Sequence, residues 1–83
     1  MATPIPIAIH HHRHSTEVTA SLPGVRVQDL RVSLTSRELT IEARCAGTTR
    51  SVVVPLAAPV DERRATLRFA GGDLSLHLPL LPA

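Results

Sequence analysis

Leu22-Pro23-Gly24-Val25 decides the fold of this chain, because its Pro-Gly turn separates two stretches in which apolar and polar side chains alternate. Alternation with a period of two is typical of half-buried β-strands, and a Pro-Gly pair is a strong turn signal. We therefore predict a strand over residues 16–22, a short connection over 25–29 and a second strand over 30–35. No apolar repeat with helical spacing extends over a usable length, so the sequence favours an all-β fold.

The first nine residues differ from the rest because they contain two prolines, which exclude both a helix and a central strand. Ile5, Ile7 and Ile9 nevertheless alternate with other residues, which indicates an edge strand or an arm lying on a partner surface. The histidine-rich stretch 10–14 follows and is predicted to form a polar turn.

The remainder of the chain repeats short alternating stretches between turn signals. Further strands are predicted at 38–44, 50–54, 65–70 and 73–78. The last two flank Gly71-Gly72, a pair that favours a tight hairpin turn. Seven short strands with turns at near-regular spacing predict an immunoglobulin-like antiparallel β-sandwich.

The length of 83 residues predicts one small domain, with the N-terminal strand or arm at 1–9, the core sandwich at 10–80 and a tail at 81–83. A chain of this size buries only about 60% of the surface that its unfolded state exposes, so self-association is expected to add stability. We therefore expect a homodimer or a larger homo-oligomer. The alternating isoleucines Ile5, Ile7 and Ile9 are candidates to pair across its interface.

Charge and composition argue against nucleic acids and membranes as partners. The nine basic residues are all Arg, they are scattered among seven acids, and Phe69 is the only aromatic residue. A nucleic-acid site needs a basic stripe or stacking platforms, and neither is present. No apolar run is long enough to cross a bilayer. The single cysteine, Cys45, rules out an internal disulfide and fits a reducing compartment, so a cytoplasmic location is expected.

Two features invite a chemical function, and neither is supported by a complete pattern. His10, His11, His12 and His14 crowd one predicted turn, but no acid or cysteine is placed to complete a four-ligand metal site. Cys45 has no nearby His-Asp or His-Asn pattern, so an inert thiol is the better interpretation. The nucleophile-elbow and phosphate-loop motifs are absent as well. We expect no metal, no cofactor and no enzymatic activity.

The α-crystallin domain of small heat-shock proteins resembles this chain in the order and spacing of its strand motifs. The matching stretches are Ala20-Ser21-Leu22-Pro23-Gly24-Val25, Asp29-Leu30, Leu39-Thr40-Ile41, Arg50-Ser51-Val52-Val53-Val54-Pro55 and Val60-Asp61. In the hairpin motif of that family Gly72 and Leu74 are identical, whereas Leu67 stands where Ala is usual and Gly71 where Asn is usual. The resemblance implies the same sandwich fold.

The chain departs from bacterial members of that family between two strands. They insert a long loop with an extra strand that is exchanged between partners, whereas here only residues 45–49 span the gap. A strand-exchanged dimer is therefore not expected. The shortened form is similar to CS domains of co-chaperones and to the crystallin-like domain appended to some arsenical-pump-type ATPases.

The resemblance implies an ATP-independent chaperone that binds exposed apolar segments of non-native proteins. The family groove, carried over by position, would be lined by Val32, Leu34, Leu67 and Phe69, although the same side chains would also suit an ordinary sandwich core. Arg50 stands where the family has an arginine that makes interface salt bridges, and a solvent-facing arginine is the alternative. Two other functions remain open: a docking domain for one protein partner, such as a targeting ATPase or a chaperone, and a passive structural domain.

Overall fold

The computed structural model describes residues 5–82, so the start of the predicted N-terminal arm and Ala83 lie outside the described residues. Its seven strands are β1 (Ile7–His11), β2 (Ser15–Ser21), β3 (Leu30–Leu34), β4 (Glu38–Cys45), β5 (Thr48–Pro55), β6 (Thr66–Ala70) and β7 (Asp73–Pro79). A single turn of 3-10 helix at Val27–Asp29 precedes β3. The all-β prediction and the predicted number of strands are confirmed.

The strands form two antiparallel sheets. One sheet has the order β1-β2-β7-β6, and the other has the order β3-β4-β5. β2 and β7 are therefore central in the first sheet and β4 is central in the second, whereas β1, β6, β3 and β5 are edge strands. The predicted antiparallel sandwich is confirmed.

The core lies between the two sheets and is almost entirely aliphatic. On the central strands every second side chain is buried, as the alternation in the sequence predicts. The largest fully buried side chains are Val18, Leu39, Ile41, Val60, Leu74 and Leu78. Each such side chain stabilises the fold by about 1.5–3 kcal/mol relative to leaving it in water.

The β4–β5 turn and the β1–β2 turn contain fewer residues than the predicted strand ends implied. Ala46 and Gly47 both have positive φ, 52° and 78°, which matches the two-residue turns that preserve strand twist. Pairing therefore extends to Cys45 opposite Thr48, so β5 begins two residues before the predicted strand at 50–54. At the N-terminal end, β1 runs to His11, whereas a polar turn was expected from His10 onwards.

The loop between β5 and β6 connects the ends of the two sheets. Its Leu56 N–H donates to the carbonyl of Arg37 at 2.9 Å, and its Val60 N–H donates to the carbonyl of Ser36 at 2.8 Å. Val60 is fully buried and pairs with Leu80, just beyond β7. The loop thus closes one end of the core.

Candidate binding surfaces

The four side chains predicted to line a groove lie on edge strands. Val32 and Leu34 lie on β3, opposite the buried Ile41 and Leu39 of β4. Because side chains directly opposite each other on neighbouring strands share a face of the sheet, both point into the space between the sheets. They are half-buried and pack against the core.

The other two predicted groove residues have the equivalent position on an edge strand of the first sheet. Leu67 and Phe69 lie on β6, opposite the buried Leu76 and Leu74 of β7. Phe69 is half-buried against the core, whereas 48% of Leu67 is exposed. Each sheet therefore has an edge strand whose inward apolar side chains are only partly covered. That these two edges together form one groove stays a prediction.

The three alternating isoleucines near the N-terminus differ in how far their side chains are buried. Ile7 and Ile9 lie opposite the buried Ala20 and Val18, so they face inward from the edge strand β1. Ile5 is 5% exposed and belongs to the core of its own chain, whereas Ile9 is 40% exposed. Of the three residues predicted at an oligomer interface, Ile9 offers the most surface to a partner. Their role in such an interface stays a prediction.

Arg50 lies on the edge strand β5 opposite Ala43, a buried residue. Its side chain is therefore on the inward face, where it is half-buried and lines a small cavity of about 20 Å³ together with Leu22 and Cys45. Within residues 5–82 it forms no ion pair. Its predicted interface role is untested.

Cys45 lies at the end of β4, beside the Pro23-Gly24 turn. Its Sγ is 3.6 Å from the carbonyl oxygen of Gly24, and the side chain is half-buried. The thiol thus has a hydrogen-bond acceptor and packs between a strand end and a turn.

The histidines divide into different environments. His10 and His11 belong to β1, while His12 and His14 lie in or beside the turn that follows. No group of three or more His, Cys, Asp or Glu side chains among the described residues is placed to hold a metal ion.

Sequence reasoning missed one polar contact on the outer face of the first sheet. The Nδ1–H of His77 on β7 donates to Oε1 of Glu17 on β2 at 2.7 Å. The two residues are neighbours in strand register but 60 positions apart in the chain, so no local spacing could have indicated the contact. Only the correct order of strands in the sheet would reveal it.

Solved structures of small heat-shock proteins match the chain along nearly its whole length. Heat shock protein 16.0 from Schizosaccharomyces pombe superimposes with a TM-score of 0.85 at 23% identity, over 96% of this chain and 89% of that one. The hspA protein from Xanthomonas axonopodis gives a TM-score of 0.84 at 16% identity, over 100% of this chain and 99% of that one. This chain has the α-crystallin fold.

A third match agrees with the first two. A small heat-shock protein from Xylella fastidiosa gives a TM-score of 0.80 at 18% identity, over 95% of this chain and 87% of that one. No protein-family model matches the sequence, and no curated protein matches it. The resemblance to the α-crystallin domain inferred from the strand motifs is confirmed in the fold, although few residues are shared.

The described part of this α-crystallin fold contains no helix that is both long and apolar enough to span a membrane.

Proposed function

We propose that the chain is an ATP-independent chaperone that binds exposed apolar segments of non-native proteins. The observation that carries this proposal is Leu67, an inward-facing leucine on an edge strand that leaves 48% of its surface exposed. Val32, Leu34 and Phe69 add partly covered apolar surface on the edge strands. The α-crystallin fold, which this chain shares with small heat-shock proteins, supports the same function without any catalytic step.

The mechanism we propose combines apolar contact with strand pairing. A client segment would bury aliphatic side chains against the edge residues, and each buried side chain contributes about 1.5–3 kcal/mol before the cost of ordering the segment. An edge strand also has unpaired backbone N–H and C=O groups that an extended client can bond. A few such contacts give weak, reversible binding, which suits a protein that holds many different clients.

We further propose that the chain acts as a homodimer or larger homo-oligomer in a reducing, cytoplasmic compartment. The open edge strand β1, with Ile9 40% exposed, supports self-association through Ile7 and Ile9, with Ile5 anchoring the strand to its own core. In this proposal Arg50, on the edge strand β5, adds a polar contact to the interface. The small heat-shock protein from Xylella fastidiosa has a distinct high-order structure. The lone Cys45 fits the reducing compartment.

A docking domain for one specific protein partner is the second candidate. It is favoured by the short β4–β5 hairpin. The last paired residues of the two strands are Cys45 and Thr48, so only Ala46 and Gly47 connect them. This hairpin provides no extra strand to exchange with a second copy. A module that does not assemble by strand exchange would suit recognition of a single partner.

The test is suppression of heat-induced aggregation, measured by light scattering, for several unrelated client proteins at near-stoichiometric ratio. We expect the unaltered chain to suppress all of them and Leu67→Gln to suppress them several-fold less. Val27→Gln is the matched control, because Val27 is also an exposed apolar residue, 68% exposed, but lies on a turn and not on an edge strand.

Protection of no client by the unaltered chain would refute the chaperone proposal. If one partner nevertheless bound tightly, the docking function would take its place. Equal loss in the Val27→Gln and Leu67→Gln variants would show that general surface hydrophobicity, and not the edge strand β6, binds clients. Light scattering after size-exclusion chromatography of the same samples measures the oligomeric state.

A further inference from the structure

A basic cleft lies at one end of the sandwich, and none of the four predicted groove residues lines it. It has a volume of about 790 Å³ and is formed by the β1–β2 turn, the turn before β6, the end of β7 and the segment that follows it. Its lining includes Arg13, His14, Arg64, Leu80 and Leu81. The strand motifs gave no indication of this cleft, because its parts come from three separate regions of the chain.

Backbone hydrogen bonds hold the three regions together. The Leu80 N–H donates to the carbonyl of His14 at 2.9 Å, which ties the C-terminal segment to the β1–β2 turn. The Asp61 N–H donates to the carbonyl of Pro79 at 2.7 Å, and the Arg64 N–H donates to the carbonyl of Asp61 at 3.1 Å. The two segments that carry Arg13 and Arg64 are therefore both tied by backbone hydrogen bonds to the C-terminal end of the chain, at Leu80 and Pro79.

The charge of the cleft is not balanced. Within residues 5–82 no carboxylate side chain lines it, and neither Arg13 nor Arg64 forms an ion pair. Two carboxylates near the cleft already accept hydrogen bonds: Glu17 accepts one from His77, which itself lines the cleft, and Oδ1 of Asp61 accepts one from the Arg63 N–H at 3.1 Å. Two guanidinium groups thus remain free to bind an anion.

A second polar cleft provides a comparison. It lies on the outer face of the other sheet, where Arg31 and Arg44 line it together with Asp29 and Glu42. Two arginines and two carboxylates leave no net charge there. An excess of positive charge therefore distinguishes the first cleft from the second, although both are lined by two arginines.

The basic cleft also has an apolar part. Leu81 is 44% exposed and Leu80 is half-buried, and both are flanked by prolines. A cleft that offers guanidinium donors beside aliphatic surface matches a ligand with carboxylates next to aliphatic side chains. We propose that this cleft binds an extended acidic segment of a partner protein, with a carboxylate between Arg13 and Arg64 and an aliphatic side chain on Leu81.

The test is fluorescence anisotropy with a labelled short peptide of glutamates and leucines at low ionic strength. We expect the unaltered chain to bind it, added salt to weaken binding, and the double variant R13Q/R64Q to bind about tenfold more weakly. R31Q/R44Q is the matched control, because it removes the same charge from the balanced cleft. It should bind the peptide within about twofold of the unaltered chain.

Three results would overturn the proposal: no binding of the glutamate peptide, equal loss in both double variants, or equal binding of a peptide with glutamine in place of glutamate. Competition by inorganic phosphate as effective as by the peptide would assign the cleft to small anions instead. Because Leu67 does not line the cleft, the R13Q/R64Q variant should still suppress client aggregation. Failure of the peptide test and failure of the chaperone test can therefore be told apart.

Discussion

Central and edge strands of the same sheet contain the same kinds of side chain but bury them to different extents. Leu76 on β7 and Leu67 on β6 are directly opposite each other and point to the same side. Leu76 is 3% exposed and Leu67 is 48% exposed. Residue type and face are identical, so the difference comes from position: β7 has a neighbouring strand on both sides, and β6 has one only on one side.

The second sheet repeats the same contrast. Ile41 on the central strand β4 is fully buried, and Val32 opposite it on the edge strand β3 is only partly buried. The central strands therefore provide most of the stability, while the edges retain apolar surface that another chain can cover. The same alternating pattern therefore provides both the buried core and the exposed apolar edges. The order of the strands in each sheet decides to which of the two a residue belongs.

Truncation of the two opposed leucines should give the largest difference between centre and edge. Leu76→Ala is expected to lower the free energy of unfolding by about 3 kcal/mol, because it removes buried contacts and leaves a cavity. Leu67→Ala should cost about 1 kcal/mol, since water already reaches half of that side chain. Urea denaturation of both variants measures the difference. Similar losses would mean that β6 is covered as fully as β7, for example by a second copy.

The alternation that separates inward from outward side chains was readable from the sequence, and so were the seven strands and the fold. Period-two alternation is a local property, and the Pro-Gly and Gly-Gly turns punctuate it. The resemblance placed Val32, Leu34, Leu67 and Phe69 at one candidate groove. Alternation alone could not say which of them are exposed, because exposure depends on which strands are at the edges.

Features that depend on long-range neighbours were not predictable. Ile5, Ile7 and Ile9 form one regular pattern in the sequence, yet Ile5 is buried, Ile7 is half-buried and Ile9 is 40% exposed. The pattern does not show that β1 is an edge strand, along which the burial of inward side chains decreases. The β4–β5 turn was expected to take in Thr48 and Thr49, but two positive-φ residues at 46 and 47 suffice to reverse the chain. The basic cleft unites residues from three regions that share no local motif.

Glycine substitutions in the two tight hairpins should give a smaller difference in stability, this time between a turn that packs against backbone and a turn that packs against nothing. Gly72, at φ 82°, lies in the β6–β7 turn, and a Cβ there would meet the Leu22 carbonyl oxygen at 3.2 Å and the Pro23 Cα at 3.3 Å. Gly72→Ala is therefore expected to cost about 2 kcal/mol, from left-handed strain and a close approach to backbone. Thermal denaturation followed by circular dichroism measures the loss.

Gly47→Ala is the matched control for that substitution. Gly47 has a similar φ of 78°, but a Cβ there would meet nothing within 4 Å. Only the left-handed strain applies, so the expected cost is about 1 kcal/mol. If the two variants lost equal stability, the packing of the β6–β7 turn against the end of β2 would contribute nothing.

The smallest effect should come from the outer face of the central strands, where Glu17 of β2 accepts the hydrogen bond from His77 of β7. Both side chains are substantially exposed, 36% for Glu17 and 47% for His77, so water and salt screen the contact. Glu17→Gln should therefore cost no more than about 0.5 kcal/mol, and less at high salt. Urea denaturation at low and high salt measures this, with Glu38→Gln as the control, because Glu38 is exposed on β4 of the other sheet and forms no ion pair within residues 5–82. A loss comparable to that of Leu76→Ala would mean that the outer face stabilises the protein as much as a buried leucine does. It would contradict the conclusion that buried inward side chains provide most of the stability.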